Sequence, residues 1–361
     1  MTITRRALLR AASVVPVIGS LSLATVARAA VASGVSVRGF GAGGNGQGDD
    51  TDAFQRAIDS FGAAGGTVTV PAGQYLIDPL RGVHLRSRVH LQLDPNATLQ
   101  AIANAADRAV MIVVTDVSDV TISGGNFIGE RDQHMGTTGE WGHGIQLRGA
   151  SRVVLRDLRV SRFWGDGLSV AATKPGRGDP VARPSTDVLL QRCVSIGNRR
   201  QGLTIGYAAN VRVIDCEFSG TGGTAPEAGI DVEPDAGPPA RDIEIAGCRL
   251  HGNHGPGIQV WKRTQGVRIH DCDFDDNRYG VLVVGGQDTD IANNHIVRSA
   301  MNGVAVKGGA MGAAIHGNQF SDNARRGGAA RLSLPGGPPE RHIHVDADVQ
   351  GVQIGADNQF N

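Results

Sequence analysis

The feature that most constrains the fold is a four-residue frame, Gly-apolar-x-apolar, that recurs along the chain. It appears as Gly144-Ile-Gln-Leu, Gly167-Leu-Ser-Val, Gly202-Leu-Thr-Ile, Gly229-Ile-Asp-Val, Gly257-Ile-Gln-Val, Gly280-Val-Leu-Val and Gly303-Val-Ala-Val. A second strand-like segment of similar build precedes each frame. The uninterrupted period is about 23 residues, which is typical of repeats that bury their apolar faces only by stacking on one another.

The alternation within each short run predicts strands, and no helical periodicity is sustained after Phe61. Stacked parallel strands lie about 4.8 Å apart, and connections between parallel strands are right-handed. The sequence therefore predicts an all-β protein, a right-handed parallel β-helix. A solenoid grows without a second core, so we expect residues 30–361 to form one domain, with a cap over about 40–80 and coils over about 81–361.

Composition and charge exclude two classes of partner. Lys plus Arg and Asp plus Glu number 35 each, so no net charge attracts nucleic acid. No segment after the N-terminus approaches the roughly 20 apolar residues that a membrane-spanning helix needs. We expect a monomer that neither binds nucleic acid nor inserts into a membrane.

The N-terminus resembles a twin-arginine export signal. Arg5 and Arg6 precede an apolar run over 14–26, and Ala27-Arg28-Ala29 follows with small residues at a cleavage-site spacing. Residues 1–29 are therefore predicted to be a signal peptide. A periplasmic or secreted location follows from this prediction.

A short helix is predicted at the N-terminal end of the coil, because apolar residues from Ala53 to Phe61 have helical spacing after Asp50 or Thr51. Together with Val70-Pro71-Ala72-Gly73, this segment resembles the N-terminal cap of the pectate-lyase-like and polygalacturonase-like right-handed β-helix superfamily. The resemblance implies an exported, carbohydrate-active protein whose capping helix covers the open end of the coil.

Four cysteines occupy the same slot in four consecutive repeats, and they are Cys193, Cys216, Cys248 and Cys272. Vertical neighbours in a ladder seldom have disulfide geometry, whereas a thiol packs well as a small apolar group. We therefore predict a stack of buried free thiols. A zinc site is not expected, because no Cys-x-x-Cys pair is present.

Three interruptions of the repeat, over 129–141, 173–185 and 220–228, predict the walls of a groove, since insertions in solenoids map to loops on a binding face. The frame strands between them form its floor. Amides and carboxylates bind sugar hydroxyls, aromatic rings stack on pyranose rings, and guanidinium groups bind uronate carboxylates. The predicted substrate-binding residues are His143, Arg148, Arg199, Arg200, Gln201, Thr204, Tyr207, Gln259, Trp261 and Lys262.

The predicted catalytic residues are Asp166, Asp231 and Glu233. Asp231 and Glu233 lie on one face of a short strand, and Asp166 lies two repeats earlier, roughly 10 Å away by the spacing of stacked strands. Two carboxylates at that distance are suited to inverting glycoside hydrolysis. We therefore expect a glycoside hydrolase, without a cofactor, that acts on an extended polysaccharide or oligosaccharide, with uronic-acid-containing glycans among the candidates.

Two alternatives remain open. A polysaccharide lyase or uronate epimerase would use a base together with Arg, Lys, Tyr or His side chains, with Ca²⁺ possible at Asp231, Glu233 and Asp235. Polygalacturonases carry an Asp-Asp rung and a Gly-His-Gly rung, whereas the corresponding rungs of this chain lack the doublet and have Gln201 where the histidine would stand. A non-catalytic carbohydrate-binding or spike-like module is the third interpretation.

Overall fold

Each repeat of the sequence folds into a rung of three short strands, and successive rungs pair in parallel. The computed structural model describes residues 34–175, 181–234, 237–324 and 341–361. These residues fall within one compact unit, Ala32–Asn361. The predicted signal peptide lies outside the described residues and stays a prediction.

The strands, numbered in chain order, form three parallel sheets within the described residues. The first sheet contains β1 Gly34–Ser36, β3 Gly66–Val70, β6 Val89–Leu93, β9 Ser118–Ser123, β12 Ser151–Arg156, β15 Ser185–Gln191, β18 Ala208–Ile214, β21 Ala240–Ala246, β24 Thr264–His270, β27 Gln287–Ala292, β30 Ala314–His316 and β33 Gln353–Ile354. The second contains β2 Asn45–Asp49, β4 Gly73–Ile77, β7 Ala97–Ala101, β10 Asn126–Ile128, β13 Arg159–Ser161, β16 Val194–Ile196, β19 Glu217–Ser219, β22 Arg249–His251, β25 Asp273–Asp275, β28 His295–Val297, β31 Gln319–Ser321 and β34 Gln359–Phe360. The third contains β5 Val83–His84, β8 Arg108–Thr115, β11 Trp141–Arg148, β14 Leu168–Ala171, β17 Leu203–Ile205, β20 Ile230–Val232, β23 Ile258–Val260, β26 Val281–Val284, β29 Val304–Lys307 and β32 Ile343–Val345.

The predicted right-handed parallel β-helix is confirmed, and the Gly-apolar-x-apolar frames form the third sheet. The segments that precede the frames form the first sheet. The second sheet was not expected from the sequence, because most of its strands have only three residues, as β16 does. Three residues are too few to display an alternating pattern.

The N-terminal end of the coil is covered by a 3-10 helix, Val37–Phe40, and by one α-helix, α1, Thr51–Asp59. Phe54 is fully buried and its ring meets the Tyr75 ring edge-on at 5.3 Å. The predicted capping helix is therefore confirmed. Within the described residues, no helix is long and apolar enough to cross a membrane.

The four cysteines are free and buried, as predicted. The Cys193 backbone N–H donates to Cys216 Sγ at 3.4 Å, and the Cys248 N–H donates to Cys272 Sγ at 3.4 Å. Each thiol therefore helps to satisfy a buried backbone group in a neighbouring rung.

The cysteine slot is continued by asparagines in the later rungs. The Cys272 N–H donates to Asn294 Oδ1 at 3.0 Å, the Asn294 N–H to Asn318 Oδ1 at 2.9 Å, and the Asn318 N–H to Asn358 Oδ1 at 3.1 Å. A separate ladder at the bend before the third sheet includes Asn253, which accepts the Thr221 N–H. Both ladders join neighbouring rungs through buried side chains.

We predict that Asn318→Ala lowers the free energy of unfolding by about 3 kcal/mol. Asn318 is fully buried, and its loss leaves the Asn294 N–H and the Ile291 carbonyl unpaired, at about 1–3 kcal/mol for each buried group. The unfolding midpoint in guanidinium chloride measures the effect. Asn96→Ala, at an exposed site, is the matched control, and equal midpoints for both variants would contradict a structural role for the ladder.

Candidate functional site

A cleft of about 360 Å³ lies along the outer face of the third sheet. The insertion over 129–141 contributes Trp141, and the insertion over 173–185 contributes Lys174 and Ala182 on the other side. No described residue of 220–228 lines the cleft. The polar and aromatic lining residues are Arg108, Trp141, His143, Arg148, Asp166, Ser169, Thr173, Lys174, Arg200, Thr204, Tyr207 and Glu233.

Arg200 contacts carboxylates from three other segments of the chain. Its Nη1 lies 3.3 Å from Asp166 Oδ1, its Nε lies 3.3 Å from Glu140 Oε2, and its Nη2 lies 4.0 Å from Glu233 Oε2. Burial opposes the charged form, but the negative charges of Asp166 and Glu140 raise the pKa of Arg200 above its usual value. A permanent positive charge therefore lies between Asp166 and Glu233.

Asp166 is held almost entirely by hydrogen-bond donors. Only 1% of the residue is exposed, and its Oδ2 accepts a hydrogen bond from Thr204 Oγ1 at 2.9 Å in addition to the contacts from Arg200. These contacts fix the position of the Asp166 carboxyl group beside Arg200 and Thr204.

His143 lines the same cleft as a neutral imidazole. Burial lowers its pKa; Asp166 opposes this shift, whereas Arg200, Arg148 and Arg108 lower the pKa further. Its Nδ1 accepts the backbone N–H of Asp166 at 3.1 Å. Because Nδ1 is an acceptor, the proton of the neutral ring lies on Nε2, which makes that nitrogen a hydrogen-bond donor.

Asp231 does not line the cleft, although the sequence predicted it as a groove acid. It is fully buried, and its two oxygens accept Nε2–H of Gln201 at 2.7 Å and Nε2–H of Gln259 at 3.1 Å. Gln201 is oriented by the Ala228 N–H, which donates to its Oε1 at 2.9 Å. Gln201 and Gln259, predicted to bind substrate, therefore hold Asp231 instead.

Burial raises the pKa of Asp231 well above its ordinary value, and the negative charge and hydrogen bond of Glu233 raise it further. Arg200 and the hydrogen bond from Gln259 oppose these effects. The two neutral amides do not compensate a buried charge, so Asp231 is held as a neutral carboxylic acid. Glu233, two residues later, is the acid of this strand end that faces the cleft.

The predicted calcium site at Asp231, Glu233 and Asp235 stays a prediction, because Asp235 lies outside the described residues. Both Asp231 oxygens already accept amide hydrogens, an environment that does not suit a cation. Over the described part of the chain, no group of three or more His, Cys, Asp or Glu side chains is placed to hold a metal ion.

Three other predicted substrate-binding residues lie outside the cleft. The guanidinium of Arg199 stacks on the Trp164 ring at 3.8 Å and donates to the Gly139 carbonyl at 2.9 Å, so it braces the 129–141 insertion from behind. Trp261 and Lys262 are not among the residues that line the cleft. Arg199 and Arg200 are neighbours in sequence but point to different sides of the same wall.

Arg108 is a lining residue that the sequence did not single out. Its guanidinium lies 3.6 Å from the centre of the Trp141 ring, and the two residues are paired in register between β8 and β11. The rung that contains Arg108 lacks the Gly-apolar-x-apolar frame. The remaining signal was an arginine at the start of an apolar strand, which alone does not indicate a site.

Two family descriptions match parts of the chain. Residues 34–161 match "Rhamnogalacturonase A/epimerase, pectate lyase-like", and residues 256–334 match "Right handed beta helix region".

Among curated proteins, the chain is 31% identical over 267 residues to the uncharacterized protein YclG of Bacillus subtilis, a match that covers 68% of this chain and 44% of YclG. It is 29% identical over 255 residues to the mannuronan C5-epimerase AlgE2 of Azotobacter vinelandii, covering 62% of this chain and 25% of the epimerase. The chain thus spans less than half the length of these relatives.

Two solved structures share the fold. The A-module of the Azotobacter vinelandii mannuronan C-5 epimerase AlgE6 has a TM-score of 0.63 at 19% identity, covering 90% of this chain and 96% of the module. The N-terminal fragment of bacteriophage phi29 gene product 12 has a TM-score of 0.65 at 17% identity, covering 90% of this chain and 58% of the fragment.

We predict that Asp231→Asn stabilises the protein at neutral and alkaline pH. The unfolded Asp231 ionises near its ordinary pKa of about 3.9, whereas the folded protein retains the proton to a higher pH. Above about pH 4 the folded state binds more protons than the unfolded state, so wild-type stability falls as the pH rises toward the folded pKa. Asparagine avoids this loss, and a turn of the Gln259 amide gives its Nδ2 an acceptor.

Thermal unfolding of both proteins between about pH 4 and pH 8 measures this difference, which should be smallest at the acid end. Asp348→Asn, at an exposed aspartate, controls for the loss of one negative charge. Parallel curves for wild type and Asp231→Asn would show that Asp231 is not held neutral by the fold.

Proposed function

We propose that this chain, a member of the pectate-lyase-like right-handed parallel β-helix superfamily, binds an anionic polysaccharide in the cleft and removes the proton beside a uronate carboxylate. The observation that carries the proposal is the charge of the cleft. Arg108, Arg148, Lys174 and Arg200 line it against two carboxylates, Asp166 and Glu233, and both of these carboxylates contact Arg200. Similarity to a mannuronan C5-epimerase supports a uronate substrate.

Cationic side chains are what proton removal from a uronate requires. Abstraction of the proton beside the carboxylate places negative charge on that group, and nearby cations stabilise the charge as it develops. Arg200 lies 4.0 Å from Glu233, whereas Arg148, in β11, lies three rungs earlier. In the proposed mechanism Arg200 binds the carboxylate of the reacting unit, and Arg148 and Lys174 add positive charge farther along the cleft.

Glu233 is the proposed base. Its side chain is 24% exposed and lines the cleft, whereas Asp166 is enclosed by donors. The C–H bond breaks as the proton moves to Glu233, and the electron pair remains on the sugar carbon and its carboxylate. Donation of the Tyr207 phenolic proton to the opposite face of that carbon gives the epimer, and its donation to the neighbouring glycosidic oxygen as the C–O bond breaks gives an unsaturated sugar.

Hydrolysis is the second candidate. Arg200 Nη1 lies 3.3 Å from Asp166 Oδ1 and Nη2 lies 4.0 Å from Glu233 Oε2, which places the two carboxylates within about 10 Å of each other. That distance is close to the range of inverting enzymes. Hydrolysis needs one of the two carboxyl groups to donate a proton to the leaving oxygen. Both groups contact the cation Arg200, an arrangement that does not favour a proton donor.

Incubation with polymannuronate, polygalacturonate and neutral glycans in D₂O separates the reactions. Deuterium at the carbon beside the carboxylate, without chain shortening, indicates epimerisation, and ultraviolet absorbance of an unsaturated uronate indicates elimination. New reducing ends without either signal would replace the proposal by hydrolysis. Retained binding without any product would favour a binding module.

We predict that Glu233→Gln and Tyr207→Phe each lower kcat by about 100-fold or more, the usual range for loss of a general base or acid. Glu217→Gln, in the second sheet outside the cleft, is the matched control and should keep full activity. Wild-type turnover by Glu233→Gln would remove Glu233 from the mechanism. Circular dichroism of each variant checks that the β-helix is intact.

A further inference from the structure

The N-terminal end of the cleft contains a positive charge that the proposed chemistry does not use. Arg108 begins β8, and its guanidinium lies over Trp141 in β11, three rungs and therefore about 14 Å along the axis from Glu233, which follows β20. Arg200, by contrast, lies 4.0 Å from Glu233. Arg108 is too far along the axis to touch the sugar unit that reacts.

The Arg108 side chain is held in place without losing its charge. Its guanidinium stacks on the Trp141 ring at 3.6 Å, and Trp141 is half-buried in the cleft wall. Within the described residues, no carboxylate lies within ion-pair distance of Arg108. A guanidinium stacked by one face keeps its N–H groups available around its edge.

Three guanidinium groups act on the same region of the cleft. The positive charges of Arg200, Arg148 and Arg108 all lower the pKa of His143. The Arg148 guanidinium is held in the cleft by hydrogen bonds to Gln146 Oε1 at 2.9 Å and to the Ala172 carbonyl at 3.1 Å. The basic field therefore extends from the reaction centre to the Arg108 end of the cleft.

We propose that Arg108, held over Trp141, binds the carboxylate of a second uronate unit, next in the chain to the units at the reaction centre. The proposal rests on the proposed function in taking a uronate polymer as the ligand. An edge of the guanidinium offers two parallel N–H groups, a geometry that matches a carboxylate. Arg108 would then set the preferred length and charge of the substrate and leave the chemical step unchanged.

The test measures binding, so that it does not depend on turnover. Glu233→Gln protein is titrated calorimetrically with size-defined oligomannuronates and oligogalacturonates, and with the same oligomers after reduction of their carboxyl groups. Adding Arg108→Ala should weaken binding of the best anionic oligomer about tenfold, the effect of losing one charged hydrogen-bonded contact. The same change should leave binding of the reduced oligomer within about twofold.

Two further variants complete the experiment. Arg108→Lys should restore part of the affinity, since it keeps the charge but loses the planar stack. Arg249→Ala, in the second sheet, removes an equal charge away from the cleft and should have no effect.

Three results would overturn the inference: unchanged affinity in Arg108→Ala, an equal loss for charged and reduced oligomers, or no binding of any anionic oligomer. Failure of the proposed function would instead appear as wild-type protein that binds these oligomers through Arg108 but yields no deuterated or unsaturated product. The two proposals can therefore fail separately.

Discussion

The fixed spacing of stacked rungs is the constraint on which the rest of the structure depends. At each buried bend, a backbone N–H must find an acceptor on the next rung, and Asn318 and Asn358 supply it in the later coils as the cysteine thiols do in the earlier ones. The long insertions over 129–141 and 173–185 occur at the two corners that flank the third sheet, and the cleft forms between them.

The two acids at the end of β20, Asp231 and Glu233, lie in different environments. Glu233 extends into the cleft, 4.0 Å from Arg200, whereas Asp231 lies on the floor between two glutamine amides. Amide donors orient a carboxyl group but do not neutralise it, so burial favours the protonated form of Asp231. The buried acid gives the floor a fixed shape, and Glu233 is the carboxyl group at this position that a ligand in the cleft can contact.

The sequence predicted the coil, its cap and the two insertions that line the cleft, because glycine frames, helical spacing and insertions are patterns along the chain. It could not distinguish Arg199 from Arg200, since the side of the wall to which each one points depends on Trp164 and Asp166 from the preceding rung. Alternation placed Asp231 on the outward face correctly. Whether an outward residue is exposed depends on its neighbours, and Gln201 and Gln259 cover Asp231. Arg108 was missed because its rung lacks the Gly-apolar-x-apolar frame.

The charges of the cleft are ordered along its axis, with Arg108 and Arg148 on the early rungs and Glu233 on the last. Exposed charges are screened over about 8 Å at physiological ionic strength, which is less than two rungs. Arg108 therefore has little influence on a group held beside Glu233 and acts on whatever lies beside Arg108 itself. A ligand with one negative charge would gain electrostatic binding energy at only one end of the cleft. A polymer with a repeating charge would gain it along its whole length, and the unit that reacts in the proposed mechanism would lie beside Glu233.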